Sequence, residues 1–192
     1  TLPEAKSQVA WIDQDHIYVA TDFGPGSMTD SSYPRIVKEW KRGTPLASAT
    51  TVYEGQKTDM SISAFRDRTP GFERDFVNRA LAFYNSETYV RGKDGKLTKI
   101  DVPNDAETDV EREWLLIEPR TDWTVGGKTY PSGSLLAANF NDYMAGKRDG
   151  ITVLFKPDAH SSLAAHSWTR NHLILNVMRD VVTQISVLTP NT

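Results

Sequence analysis

Asp15-His16-Ile17-Tyr18-Val19-Ala20-Thr21-Asp22-Phe23 alternates with the two-residue period of a β-strand. Ile17, Val19 and Thr21 share one face, and His16, Tyr18 and Ala20 the other. β-Branched and aromatic side chains suit such a pleated surface. Outward from this stretch the same grammar repeats. Residues 34–40 set Ile36 and Glu39 around Val37, between Pro34 and an Arg42-Gly43 turn. Residues 50–53 form a β-branched run that ends at Glu54-Gly55. Residues 59–65 alternate Met60, Ile62 and Ala64, and residues 76–84 are apolar enough for a buried strand. Lys93-Asp94-Gly95-Lys96 predicts a hairpin turn between strands at 87–91 and 97–102.

The second half reads likewise. Residues 114–117 are a buried strand closed by Glu118-Pro119, and residues 125–130, centred on Gly126-Gly127, are a tight hairpin. Strands at 135–139, 151–155, 172–177 and 183–188 bring the total to about a dozen, at intervals of roughly 10–15 residues. Residues 141–146 predict one helical turn stopped by Gly146, and residues 158–166 a short helix or a loop over a sheet edge. Neither changes the class, which is all-β.

Composition narrows function by exclusion. With 39% hydrophobic and 24% charged residues over 192 positions, the chain has the balance of a folded globular protein. No apolar run approaches the roughly 20 residues of a membrane helix, so no membrane partner is expected and the chain is read as soluble, in cytoplasm or periplasm. A net charge of −3 without a basic stripe argues against nucleic acid. The absence of cysteine removes disulfides and thiolate metal sites. Thr1 is an unusual first residue, which suggests a processed or excised segment.

The strands recur in a cycle. Apolar strands near Ile17, Leu81, Leu135 and Leu173 follow one another at about 40 to 60 residues, against roughly 40–50 for a four-stranded propeller blade. The expected architecture is a partial β-propeller of about three to four blades of antiparallel strands, fewer than most closed rings contain.

Thr21-Asp22-Phe23-Gly24-Pro25-Gly26-Ser27-Met28-Thr29, then Ser32-Tyr33-Pro34-Arg35, then residues 37–46 with their Arg42-Gly43-Thr44 turn, resemble a blade of the prolyl oligopeptidase family of serine peptidases. Asp122-Trp123, Gly126-Gly127, Tyr130 and residues 132–137 are similar to a later blade, and Leu154-Phe155-Lys156-Pro157 to the strand that closes it. Their order along nearly the whole chain carries the likeness. The resemblance implies a seven-bladed propeller capping an α/β-hydrolase domain and admitting short peptides. Residues 1–192 then form one partial propeller domain, with the hydrolase domain of the same parent protein, absent from this chain, as its partner.

Individual motifs support a non-catalytic reading. An α/β-hydrolase nucleophile needs a Gly-x-Ser-x-Gly turn that lifts the serine above its sheet, and neither Ser27 nor Ser134 sits in that frame. His160, His166 and His172, with Asp158 nearby, are spaced six apart, which does not converge ligands on a metal. Asp105, Glu107, Asp109, Glu111 and Glu113 would form one acidic face on a strand, conceivably for calcium; a solvated linker between blades is the simpler account. The segments 66–68 and 73–75 read as a charged loop around Pro70-Gly71, one arginine of which is a candidate to face a substrate cavity. Gly24-Pro25-Gly26 lacks the lysine and helix of a phosphate loop. Five tryptophans could stack on carbohydrate, but packing between blades suffices.

No catalytic, cofactor-binding or metal-binding residue is therefore assigned, and no cofactor is expected. The chain is read as a non-catalytic propeller segment of a peptidase, inactive alone, that gates access to an absent hydrolase domain. The alternative is a stand-alone β-rich peptide- or glycan-binding module. Open blade faces and unpaired edges predict that the isolated segment self-associates.

Overall fold

In the computed structural model, which describes residues 2–191, strands dominate and only one α-helical turn is present among those residues. The chain divides into two compact units, residues 1–104 and residues 105–192.

The first unit holds two four-stranded antiparallel sheets, each a meander in chain order. β1 (Gln8–Trp11), β2 (His16–Ala20), β3 (Ile36–Lys41) and β4 (Thr50–Glu54) form one. β5 (Ser61–Asp67), β6 (Arg74–Ala82), β7 (Asn85–Arg91) and β8 (Leu97–Lys99) form the other. β2 is buried on both faces at its C-terminal half, so its alternation marks which sheet face meets which neighbour. Tyr18, Ala20 and Val37 on the first sheet close against Ile62, Ala64 and Val77 on the second, and this shared layer is the core of the unit. Full burial of each larger aliphatic side chain there stabilises by about 1.5–3 kcal/mol. At Gly55 a Cβ would lie 2.6 Å from the side chains of both Asp59 and Ile62, so a larger residue would have to displace them.

In the second unit, β9 (Glu107–Glu111), β10 (Trp114–Glu118), β13 (Leu135–Asn139) and β14 (Thr152–Phe155) make a sheet ordered β14-β13-β10-β9. A two-stranded ribbon, β11 (Trp123–Val125) and β12 (Lys128–Tyr130), projects from the β10–β13 connection. Its turn is Gly126-Gly127, both at positive φ, as the favoured two-residue hairpin requires. The helical turn α1 (Phe140–Met144) is capped by Asn139, whose side chain accepts from the Asp142 N–H. β15 (Ser161–Trp168), β16 (Leu173–Arg179) and β17 (Val182–Leu188) complete the unit as a three-stranded meander. Leu116 and Leu135 pack against Leu173 and Leu175 between the two sheets.

The sheets begin at Gln8, Ser61, Glu107 and Ser161, a period of about 50 residues. The apolar strands singled out around Ile17, Leu81, Leu135 and Leu173 fall one in each sheet, in β2, β6, β13 and β16. Small sheets packed face to face within each unit are blades, and the all-β partial propeller stands.

Three local readings change. Residues 158–166 are neither helix nor surface loop: Ser161 opens β15, which pairs with β16 along its length through a bulge at Leu163/Ala165. The helix-favouring Leu163-Ala164-Ala165 run yields to that cross-strand pairing, as weak local preference does to tertiary context. Residues 105–113 are not a solvated linker, because 107–111 are the edge strand β9, hydrogen-bonded to β10. β1, only four residues long and largely exposed, escaped recognition by pattern.

Candidate functional site

Where the two sheets of the first unit meet, a polar network runs from one to the other. The Tyr18 hydroxyl donates to Asp75 Oδ1 at 2.9 Å and accepts from Arg91 Nη1 at 3.1 Å. Arg91 also pairs with Glu39 at 2.6 Å, and Arg66 pairs with Asp75 at 2.6 Å. Burial pushes the Tyr18 phenol up to about 12, so it remains a neutral donor. Arg66 and Asp75 had read as part of a solvated loop; they stand instead on paired strands, cross-strand partners in β5 and β6. The contacts of Arg91 with Glu39 and Tyr18, and of Tyr18 with Asp75, join residues 52 to 73 positions apart, a separation no spacing rule reveals.

A second network sits at the other end of β6. Arg79 grips the Asp59 carboxylate through Nε and Nη2, both at 2.9 Å, and Asp59 is only 3% exposed. Hydrogen bonding to Asp59 raises the Arg79 guanidinium above its ordinary range. Glu87, reached by Arg79, Tyr89 and Lys99, is held below the usual carboxylate range, first by the Lys99 hydrogen bond.

The loop containing Gly24-Pro25-Gly26 turns its carbonyls inward. Arg35 donates to Gly26 O from Nε and Nη2, and from Nη1 to Glu54 and Gly55 O. A guanidinium lodged against a carbonyl is the opposite of an anion cradle, and a pinned connection between strands accounts for the motif. Ser27 braces the same loop, donating to Asp22 at 2.9 Å and accepting from the Phe23 N–H. Ser134 is buried with its hydroxyl unpartnered.

The three histidines go to three places. His160 Nδ1 lies 2.9 Å from Asp180, His172 Nδ1 lies 3.1 Å from the Thr189 hydroxyl, and His166 Nε2 lies 3.6 Å from Asp109. Among the described residues no group of three or more histidines and carboxylates is placed to hold a metal. The acidic run is partnered: Asp105 accepts from Thr121, Glu107 pairs with Arg120, and Asp109 accepts from the Trp168 indole at 3.1 Å.

Trp114 and Trp168 line an apolar groove of about 300 Å³ between the sheets of the second unit, with Leu116, Leu173 and Leu188. That is the blade-packing use of tryptophan. Trp11 departs from it: 52% exposed, it carries the Arg42 guanidinium over its ring at 5.7 Å. Taken together, these side chains link neighbouring sheets within each unit and present polar and aromatic surface.

No family model matches the chain. It is 31% identical to an uncharacterized peptidase of Sinorhizobium fredii, over 96% of this chain and 26% of that protein. The solved structure of a post-proline cleaving enzyme from Rickettsia typhi superposes with a TM-score of 0.86 at 26% identity, over 96% of this chain and 28% of that one. A prolyl endopeptidase structure shares the fold, with a TM-score of 0.66 at 16% identity. The chain thus spans about a quarter of the length of these relatives. No helix among the described residues is long and apolar enough to cross a membrane. Its small antiparallel sheets are those of a β-propeller segment, and the chain is similar along nearly all its length to part of these peptidases.

Proposed function

We propose that this chain is the non-catalytic propeller segment of a soluble, prolyl-oligopeptidase-like serine peptidase, and that it gates the access of short peptides to a hydrolase domain elsewhere in the parent protein. Both units, residues 1–192, belong to one partial propeller in this reading. The observation that carries it is the match of 96% of the chain to about a quarter of a peptidase. The blade structure supports it, since stacked sheets held by side-chain networks restrict passage without contributing a nucleophile. Such gating excludes folded proteins and admits flexible peptides.

Two assays test the proposal. The chain alone should leave a proline-containing fluorogenic peptide intact, whereas the full-length parent should cleave it. In that parent, Tyr18→Phe combined with Asp75→Asn should loosen the blade contact and extend cleavage to longer peptides, with kcat/KM for short ones little changed. Turnover by the chain alone, abolished by a substitution within it, would replace the proposal with a hydrolase in its own right. Unchanged size selectivity in the loosened parent would remove the gating role.

One observation favours the alternative, a peptide- or glycan-binding module: the exposed Trp11 stacked under Arg42. Saturable quenching of tryptophan fluorescence by an oligosaccharide, lost in Trp11→Ala, would support it. The exposed edge strand β17 also supports self-association of the isolated segment.

A further inference from the structure

Glu107 and Glu118 are directly opposed in the β9–β10 ladder, so two carboxylates share one face of the sheet at the closest cross-strand spacing. Like charges so placed destabilise a sheet unless a cation answers them. Asp109, opposite Leu116, points to the same side, and Leu116 belongs to the layer that meets Leu173 and Leu175. The acidic face is therefore the polar continuation of the contact between the two sheets of the second unit.

Across that contact β15 presents His166 and Trp168, which pair with Leu175 and Leu173 and so stand on the facing side. The Trp168 indole donates to Asp109 Oδ2 at 3.1 Å, and His166 Nε2 lies 3.6 Å from the same oxygen. The His166 side chain is only 19% exposed. Other charged groups there are few. Glu107 and Glu118 act on His166 from β9 and β10, and Arg120, after β10, holds Glu107. Glu111 faces Trp114 further along the same side of β9, and Arg112 stacks over the Trp168 ring at 5.9 Å. Arg120 thus pairs with Glu107 and acts on Glu118 from the same sheet, and His166 is the titratable cation that meets Asp109 and Glu118 from across the contact.

We propose that His166 is a protonation-controlled clasp between the two sheets: charged, it answers the carboxylate face of β9 and β10 and holds the sheets together; neutral, it leaves like charges opposed and the contact looser. The groups around it agree in direction. The Asp109 carboxylate, 3.6 Å away, raises the His166 imidazolium above its usual range despite burial, and burial followed by Glu107 raises Glu118. A histidine raised on folding stabilises fully below its unfolded value of about 6.5, and that stability is lost as pH rises through the folded value.

Hydrogen exchange on the full chain tests this, with rates corrected for intrinsic pH dependence. From pH 6 to pH 8.5 the protection of amides in β9 and β15 should fall in the wild type by about fivefold more than in His166→Gln. Taking the difference between the two proteins cancels the contributions of His160 and His172. Amides in β5 and β6, in the other unit, should show no such difference. Identical pH dependence in wild type and His166→Gln overturns the clasp. Should His166→Gln fail to fold, titration of the His166 ring proton by NMR decides. Its midpoint should exceed about 6.5 and drop in Asp109→Asn, which keeps an acceptor for Trp168. A midpoint at or below that value, or one unmoved by Asp109→Asn, overturns it equally.

Discussion

Tyr18 shows how much one side chain can couple. Its ring fills the core between two sheets, and its hydroxyl links Asp75 to Arg91 at the rim of that core. Tyr18→Phe keeps the ring and removes one hydrogen bond from each partner, which keep Arg66 and Glu39, so a loss of about 1 kcal/mol is expected by urea denaturation. The phenol also brings a pH signature. Because folding raises it to about 12, its stabilising share is intact below pH about 10 and declines as pH climbs from there towards 12. In Tyr18→Phe the part of the alkaline decline due to this phenol should disappear, which a pH series of unfolding midpoints would register. Arg79 is a harsher case. Arg79→Met would leave the nearly fully buried Asp59 carboxylate without its bidentate partner, at a cost of about 3 kcal/mol by the same measurement. Neither dependence can be read from the sequence, where Tyr18 looks like one more aromatic in an alternating run and Asp59 like the polar start of a strand.

Strands and their turns divide into those specified locally and those specified by partners. The Gly126-Gly127 and Lys93-Asp94-Gly95-Lys96 turns were legible because only particular residues adopt positive φ cheaply. The β16–β17 turn was not, since Asp180 and Val181 occupy positive φ at 46° and 60° without a glycine. A β-branched residue in that region is strained, and Val181, 89% exposed, has little packing to compensate. Val181→Gly should therefore raise stability by about 1 kcal/mol, seen as a later unfolding midpoint. A Val181→Gly protein no more stable than wild type would mean that the turn relaxes freely. β15 carries the complementary lesson: its Ala-Ala centre reads as helix or loop, and only the ladder to β16 makes it a strand.

The assembly of sheets explains what the isolated segment should do. On the last sheet, Ile185 and Val187 of the edge strand β17 lie 69% and 59% exposed, beside backbone groups with no further strand. Such an edge is a template for pairing with another copy. Sedimentation of the chain should show association that grows with concentration, and Ile185→Lys with Val187→Lys should return it to monomer. A wild-type chain that stays monomeric at high concentration would refute this. In the gating proposal, the same open blade edges would meet neighbouring blades of a longer parent protein.

Alternation, turn residues and the recurrence of apolar strands at about 50-residue intervals were enough to specify an all-β chain of small antiparallel sheets. These are local properties, set by φ/ψ preferences and side-chain period within a few residues of each position. The polar side of the fold was settled only in three dimensions. That Arg66 and Asp75 join a half-buried network, that Glu107 opposes Glu118, and that His166 meets Asp109 all depend on sheet register and on which faces meet. Register follows from the summed burial of entire strands, and together with the packing of sheet faces it brings together charges 9 to 57 residues apart in the chain.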